Sequence, residues 1–184
     1  LYDKIDAIIN NAGGCGTSLK EYAQLLQDDP AYASRSVEFS ARVKDITEYL
    51  AEHLAVPPRG QVKARVTCVD SCHLRNAQRI VRQPRELLAS IPGVEIIELA
   101  HPDYCCGSAG VYNIIESEIA NNLLDSKMQD ISATEADTII VTNTGCHLQL
   151  LKGVRNKGYG ARVVHLVQLM DESYLRTPVV TSVK

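Results

Sequence analysis

Val94-Glu95-Ile96-Ile97-Glu98-Leu99 is a strand-like run that delivers the chain to Asp103-Tyr104-Cys105-Cys106-Gly107-Ser108-Ala109-Gly110. Two adjacent thiols followed by two glycines pack poorly and ligate well, since thiolate is a soft ligand and glycine lets backbone amides come close. Working outward, Cys72 lies 33 positions before Cys105, in Val69-Asp70-Ser71-Cys72-His73-Leu74. Cys146 lies 40 positions after Cys106, in Asn143-Thr144-Gly145-Cys146-His147. Each gap has room for a helix and a strand. Strands alternating with helices predict an α/β fold with a mostly parallel sheet and flanking helices, and loops at the carboxyl ends of parallel strands converge on one edge.

The remaining elements follow the same punctuation. Ile5 to Asn10 reads as a strand ending in the turn Asn11-Ala12-Gly13-Gly14-Cys15-Gly16, with Thr17 or Ser18 capping the helix that follows. Ala31 to about Leu54 has apolar residues at helical spacing and reads as mostly helix. Val56-Pro57-Pro58-Arg59-Gly60 breaks the chain and divides residues 1–56 from residues 57–184.

Val62 to Cys68 alternates apolar and charged residues, which predicts a half-exposed or edge strand. Leu74 to Ser90 reads as helix with a break at Gln83-Pro84. A helix from about Ile115 to Thr134 is expected to bury Ile119, Leu123, Leu124, Met128 and Ile131. A strand at Thr138–Thr142, a helix through Leu148, Leu151 and Val154, a strand at Arg162–Val164 and a helix from Leu166 to Tyr174 complete the order.

A net charge of −3 and a pI near 6.0 argue against a nucleic-acid binder. No apolar run reaches the length of a transmembrane segment. The six cysteines stand among periodic helices and strands, which favours reduced thiols over a disulfide framework, and with it a cytoplasmic location. Leu1-Tyr2-Asp3-Lys4 reads as the start of a fragment.

The two halves resemble each other. Asp6-Ala7-Ile8-Ile9 stands nine positions before Cys15, and Asp137-Thr138-Ile139-Ile140 nine before Cys146. Val43 to Leu50 likewise reads like Val163 to Met170. The expectation is a tandem repeat whose first copy is truncated to residues 1–56, leaving Cys15 as an orphaned metal ligand of that copy.

Thiolate sets select zinc, copper(I) or iron–sulfur clusters. Structural zinc usually takes close C-x-x-C pairs, and Cys72, Cys105, Cys106 and Cys146 contain none, so a larger cluster is easier to serve. Zinc in an assembly domain without redox activity remains the alternative. Gly107 and Gly110 can bring amides to inorganic sulfide, with His73 and Gly145 also beside the thiols.

At these residues the chain resembles a known family. Asp70 to Asn76, Pro92-Gly93-Val94, Cys105 to Asn113, Lys127-Met128 and Gly145-Cys146 are similar to the second cysteine-rich (CCG) domain of glycolate oxidase iron–sulfur subunits. Gly14-Cys15-Gly16 with Leu19-Lys20-Glu21-Tyr22 is similar to the end of the first such domain. Lactate-utilisation, anaerobic glycerol-3-phosphate dehydrogenase and heterodisulfide reductase subunits share it.

The resemblance implies an oxidoreductase subunit rather than a catalyst by itself. It would carry a cluster of 4Fe-4S type on Cys72, Cys105, Cys106 and Cys146, and pass electrons from a flavoprotein dehydrogenase that oxidises glycolate or lactate to an acceptor. It further implies a ferredoxin-like N-terminal region absent from this chain, and attachment to the inner membrane only through the complex. Gln149 stands where the heterodisulfide reductase pattern has a further cysteine, which puts thiol–disulfide chemistry in doubt.

Beside the thiols, Cys68 reads as a small buried hydrophobe, and His73 and His147 as polar or capping contacts. Arg75, Arg79 and Arg82 are expected on one solvated helical face. Tyr104 and Tyr112 are expected to keep water from the centre.

Overall fold

The computed structural model describes residues 4–177. Its centre is a four-stranded parallel sheet in the order β4-β3-β5-β6, formed by β3 (Ala64–Val69), β4 (Val94–Ile96), β5 (Thr138–Val141) and β6 (Arg162–His165). The expected α/β class holds. β5 is buried along its whole length, and its successive residues serve opposite faces: Ile139 joins Leu124, Met128, Ile131 and Leu150, whereas Ile140 joins Leu87, Leu88, Leu166 and Leu169. Those partners lie on α7 (Ser117–Ala133), which follows the short α6 (Tyr112–Ile115), and α8 (Thr144–Lys157) on one side, and on α5 (Arg82–Ala89) and α9 (Leu166–Leu175) on the other.

β3 is a central strand, not the edge strand expected from its alternation. Its first charged residue, Arg65, leaves the sheet at the strand's start and meets Glu95 and Glu135 at 3.7 Å each, while Val66 to Val69 are buried. One solvated arginine at the strand's beginning therefore imitated the pattern of a half-exposed strand.

Residues 4–56 form β1 (Ile8–Asn10), α1 (Gly13–Lys20), α2 (Tyr22–Leu25), α3 (Ala33–Arg42), β2 (Val43–Asp45) and α4 (Ile46–His53). The long helix expected from Ala31 to Leu54 is thus interrupted by a strand. Val43, Lys44 and Asp45 take extended backbone because they pair in parallel with β1, and the Asp45 carboxylate then caps α4 by accepting from the Thr47 N–H at 2.8 Å.

β1–β2 and β5–β6 share one register, Ile8 opposite Val43 and Ile139 opposite Val163. Each second strand runs into a capping box, Asp45 with Glu48 and His165 with Gln168.

Two helix boundaries also depart from expectation. Thr17 and Ser18 do not cap α1, which begins at Gly13; their hydroxyls bond back to the carbonyls of Gly13 and Gly14. After β3 the chain makes a short π-helical turn, His73–Ala77, and breaks at Arg79, whose φ of +61° ends it. Pro84 does not break the following helix, because it sits in the first turn of α5 where no amide proton is needed. Among the described residues no helix is long and apolar enough to cross a membrane.

Candidate metal centre

Parallel pairing fixes where the thiols go. β4, β3 and β5 are neighbours that point the same way, so the chain leaving each one emerges at the same end of the sheet. Cys72 follows β3, Cys105 and Cys106 follow β4, and Cys146 follows β5 as the third residue of α8. All four line one cavity of about 350 Å³. Cys15, the third residue of α1, lines the same cavity.

All six cysteines are free thiols. Cys68 is buried inside β3, where burial pushes its thiol up to about 12, and it is an inert part of the core as expected.

The four clustered sulfurs interact in a chain. Cys105 is held far below the ordinary thiol range, chiefly by the Cys106 and then the Cys72 side chain, with the Gly107 N–H donating to its sulfur at 3.3 Å. Cys146 is also lowered, first by Cys106 and further by Asn143, whose Nδ2 lies 3.6 Å from the sulfur. Cys72 is raised, first by Cys105 and then by burial, and Cys106 is raised by Cys105, Cys146 and burial. The four thiols thus titrate as one coupled set whose sulfurs accept from a backbone amide and a side-chain amide, a donor set that gives up protons to a soft cationic centre.

The fit to a polynuclear group rests on this spread. Among the described residues no three His, Cys, Asp or Glu side chains close around a point that would hold a single ion. Sulfurs from three loops instead surround a cavity larger than one ion requires. The zinc alternative gains no support from this arrangement.

The walls of the cavity are rigid for identifiable reasons. Gly107 has φ of +82°, and a Cβ there would run into the Ala120 carbonyl oxygen, so the loop after Cys106 lies directly on α7. Gly110 also has positive φ, at +64°, but in open space. A Cβ on Gly145 would crowd the buried Ser108 hydroxyl, which joins the first turn of α8 to the vicinal-cysteine loop.

Asp70 fixes the approach to Cys72. Its carboxylate, almost wholly buried, accepts from Arg75 and from Arg85 at 2.9 Å, and Arg85 also reaches Glu98. The arginines therefore do not share one solvated face as expected: Arg75 is inward-bound, Arg79 ends the π-helical turn, and only Arg82 pairs at the surface, with Glu86. His73 brings Nδ1 to 3.5 Å from the Cys72 sulfur, and His147 bonds the Val163 carbonyl at 3.1 Å. Tyr104 stacks on His101 with half its surface exposed, and Tyr112 is also exposed, so neither seals the centre.

The helix stripe expected on α7 is displaced. Ile119 and Leu123 face solvent, and the buried face runs Ala120, Leu124, Lys127, Met128, Ile131. Sequence reading noted Lys127 only within a motif and missed that it lies buried at a core position of that stripe. Asn143 and Asp70 were also missed, though both stand within three positions of a thiol.

A sheet edge carrying thiols from three successive loops defines a cysteine-rich domain, and residues 66–151 match the CCG Cysteine-rich domain family. The chain is 44% identical over 177 residues to the Probable glycolate oxidase iron-sulfur subunit of Bacillus subtilis, which covers 92% of this chain and 39% of that protein. It is 28% identical to Lactate utilization protein A of Oceanobacillus iheyensis over 89% of the chain and 68% of that protein. Uncharacterized protein YkgE of Escherichia coli is 28% identical over 92% of the chain and 72% of its own length. The chain thus spans about two-fifths of the Bacillus subtilis relative, and the resemblance read from the thiol motifs is borne out.

Proposed function

We propose that this chain is the iron–sulfur portion of an oxidoreductase that oxidises a 2-hydroxy acid, with Cys72, Cys105, Cys106 and Cys146 holding a cluster of 4Fe-4S type. The observation that carries this reading is the convergence of those four sulfurs, with their amide donors, on one cavity. The names of the relatives, an iron-sulfur subunit and lactate-utilisation proteins, support it. When bound, such a cluster supplies one-electron storage between a donor and an acceptor.

The residues of the chain have separable tasks. Cys72, Cys105, Cys106 and Cys146 would bind as thiolates, so ligation releases protons from the set. The Gly107 N–H and Asn143 Nδ2 donate to ligand sulfur, which favours the more reduced state of a bound cluster. Gln149, buried three positions after Cys146, offers no thiolate, so a thiol–disulfide role is set aside.

The donor in this reading is a flavoprotein dehydrogenase subunit, where hydride chemistry on glycolate or lactate would occur. The shared register and matching capping boxes of β1–β2 and β5–β6 support the further proposal that residues 1–56 are the end of a first CCG domain and residues 57–184 a second. Cys15 is then a ligand of the first domain. The test is anaerobic mixing of the iron-loaded chain with the flavoprotein subunit reduced by its 2-hydroxy acid. Bleaching of the cluster's visible absorption within turnover time is expected, and an unchanged spectrum overturns the electron-transfer assignment.

A further inference from the structure

Lys127 is fully buried at the centre of α7, and among the described residues one of its three N–H donors has an acceptor within hydrogen-bond distance, the His101 carbonyl at 2.7 Å. The nearest carboxylate, Asp130, lies 3.9 Å away and is committed to the backbone amides of Ala100 and His101 at 3.0 Å each. The ammonium also lies 5.9 Å from the centre of the Tyr104 ring, the residue that immediately precedes the vicinal cysteines. An isolated buried ammonium is costly unless other charge compensates it, and a leucine or methionine would fill the same position on this stripe without that cost. A lysine here therefore has a use beyond packing.

We propose that Lys127 is the buried countercharge of the four-thiol centre: it ties down the loop before Cys105 through the His101 carbonyl and raises the reduction potential of the group those thiols hold. The proposal rests on the reading that the thiols bind an iron–sulfur cluster. Burial outweighs the neighbouring Asp130, Cys106, Asp103 and Asp70 and holds Lys127 below its ordinary value, so the charge of the ammonium depends on those anionic neighbours. Four thiolates and the cluster's own charge leave the site net negative, and each added electron makes it more so. A fixed positive charge in a low-dielectric interior stabilises the reduced state more than the oxidised one.

The test uses the full chain, reconstituted anaerobically with ferrous iron and sulfide, and reads iron per chain and midpoint potential by dye-mediated titration. Lys127→Gln keeps a donor for the His101 carbonyl and removes the charge, Lys127→Arg keeps the charge, and Lys127→Met removes both. The expected result is a more negative potential in Lys127→Gln and Lys127→Met at wild-type iron content, with Lys127→Arg close to wild type. Equal potentials in wild type and Lys127→Gln overturn the proposal, as does a shift in Lys127→Met that Lys127→Gln does not share. If Lys127→Met does not fold, the Gln and Arg pair still decides. Wild type that takes up no iron and sulfide overturns the cluster reading and this inference together, whereas a loaded wild type with unmoved variants overturns the inference alone.

Discussion

The Asn143 side chain reaches Cys146 from the residue just before α8, its Nδ2 lying 3.6 Å from the sulfur. Its Oδ1 faces the other way and accepts from the Gly14 N–H at 3.2 Å. One amide thus donates to the Cys146 sulfur and secures the start of α1. Asn143→Asp keeps the acceptor for Gly14 and replaces the sulfur's donor with a like charge. Metal retention is expected to weaken by about 10-fold or more, as for other residues that orient ligands. Timed chelator challenge of the iron-loaded chain measures it, and wild-type retention in Asn143→Asp would show the donor to be idle.

Gly107 sets a backbone prediction. Its φ of +82° and its contact with the Ala120 carbonyl oxygen leave no room for a side chain. Gly107→Ala is expected to lower the stability of the metal-free chain by about 2 kcal/mol. It should also reduce iron uptake, because the adjacent Cys106 must shift. Urea unfolding at constant m-value checks the first effect. Gly110, at φ of +64° in open space, should give the smaller loss as Gly110→Ala.

Acid sensitivity follows from Glu48. Burial raises its affinity for a proton, but the Lys20 hydrogen bond at 2.9 Å and the charges of Lys20 and Lys44 outweigh that and hold it below its ordinary value of 4.5. A carboxyl lowered on folding stabilises the native state above its unfolded value, and that contribution is lost as pH falls through the folded value. Glu48→Gln retains a side-chain oxygen for the capping box with Asp45 and removes the charge. The stability gap between wild type and Glu48→Gln is expected to be present at neutral pH and to close below about pH 4.5. A gap independent of pH contradicts the ion-pair account.

Much of the fold was legible because it depends on local patterns. The apolar run Thr138-Ile139-Ile140-Val141 and the thiols after each strand announced a parallel sheet with a loaded edge, and β5 is that buried strand. What failed depended on tertiary pairing. Val43 to Asp45 look helical in sequence and become a strand only because β1 lies beside them. The charged start of β3 looked like an edge until Glu95 and Glu135 supplied partners for Arg65. For the site, the thiol spacing pointed to one end of the sheet, but Lys127, Asp70 and Asn143 act through residues distant in sequence or through side-chain direction, which spacing does not encode.

Cys68 and Cys15 provide internal controls. Cys68 is sealed in β3 away from the cavity, so Cys68→Ala should lower stability by about 1 kcal/mol through a small void and leave iron content unchanged. Cys15→Ser should likewise spare the four-thiol centre, because Cys15 is exposed at that cavity and is assigned to a separate unit. Loss of iron in Cys15→Ser would instead make it a ligand of this centre and contradict its assignment to a separate unit.

The convergence of four sulfurs on one inorganic centre is tested most directly by iron and acid-labile sulfide per chain after anaerobic reconstitution, in wild type and in single serine variants of Cys72, Cys105, Cys106 and Cys146. Stoichiometric iron and sulfide in wild type, with marked loss in every one of the four variants, is the predicted result. Wild-type loading retained in any two of them would contradict a shared centre.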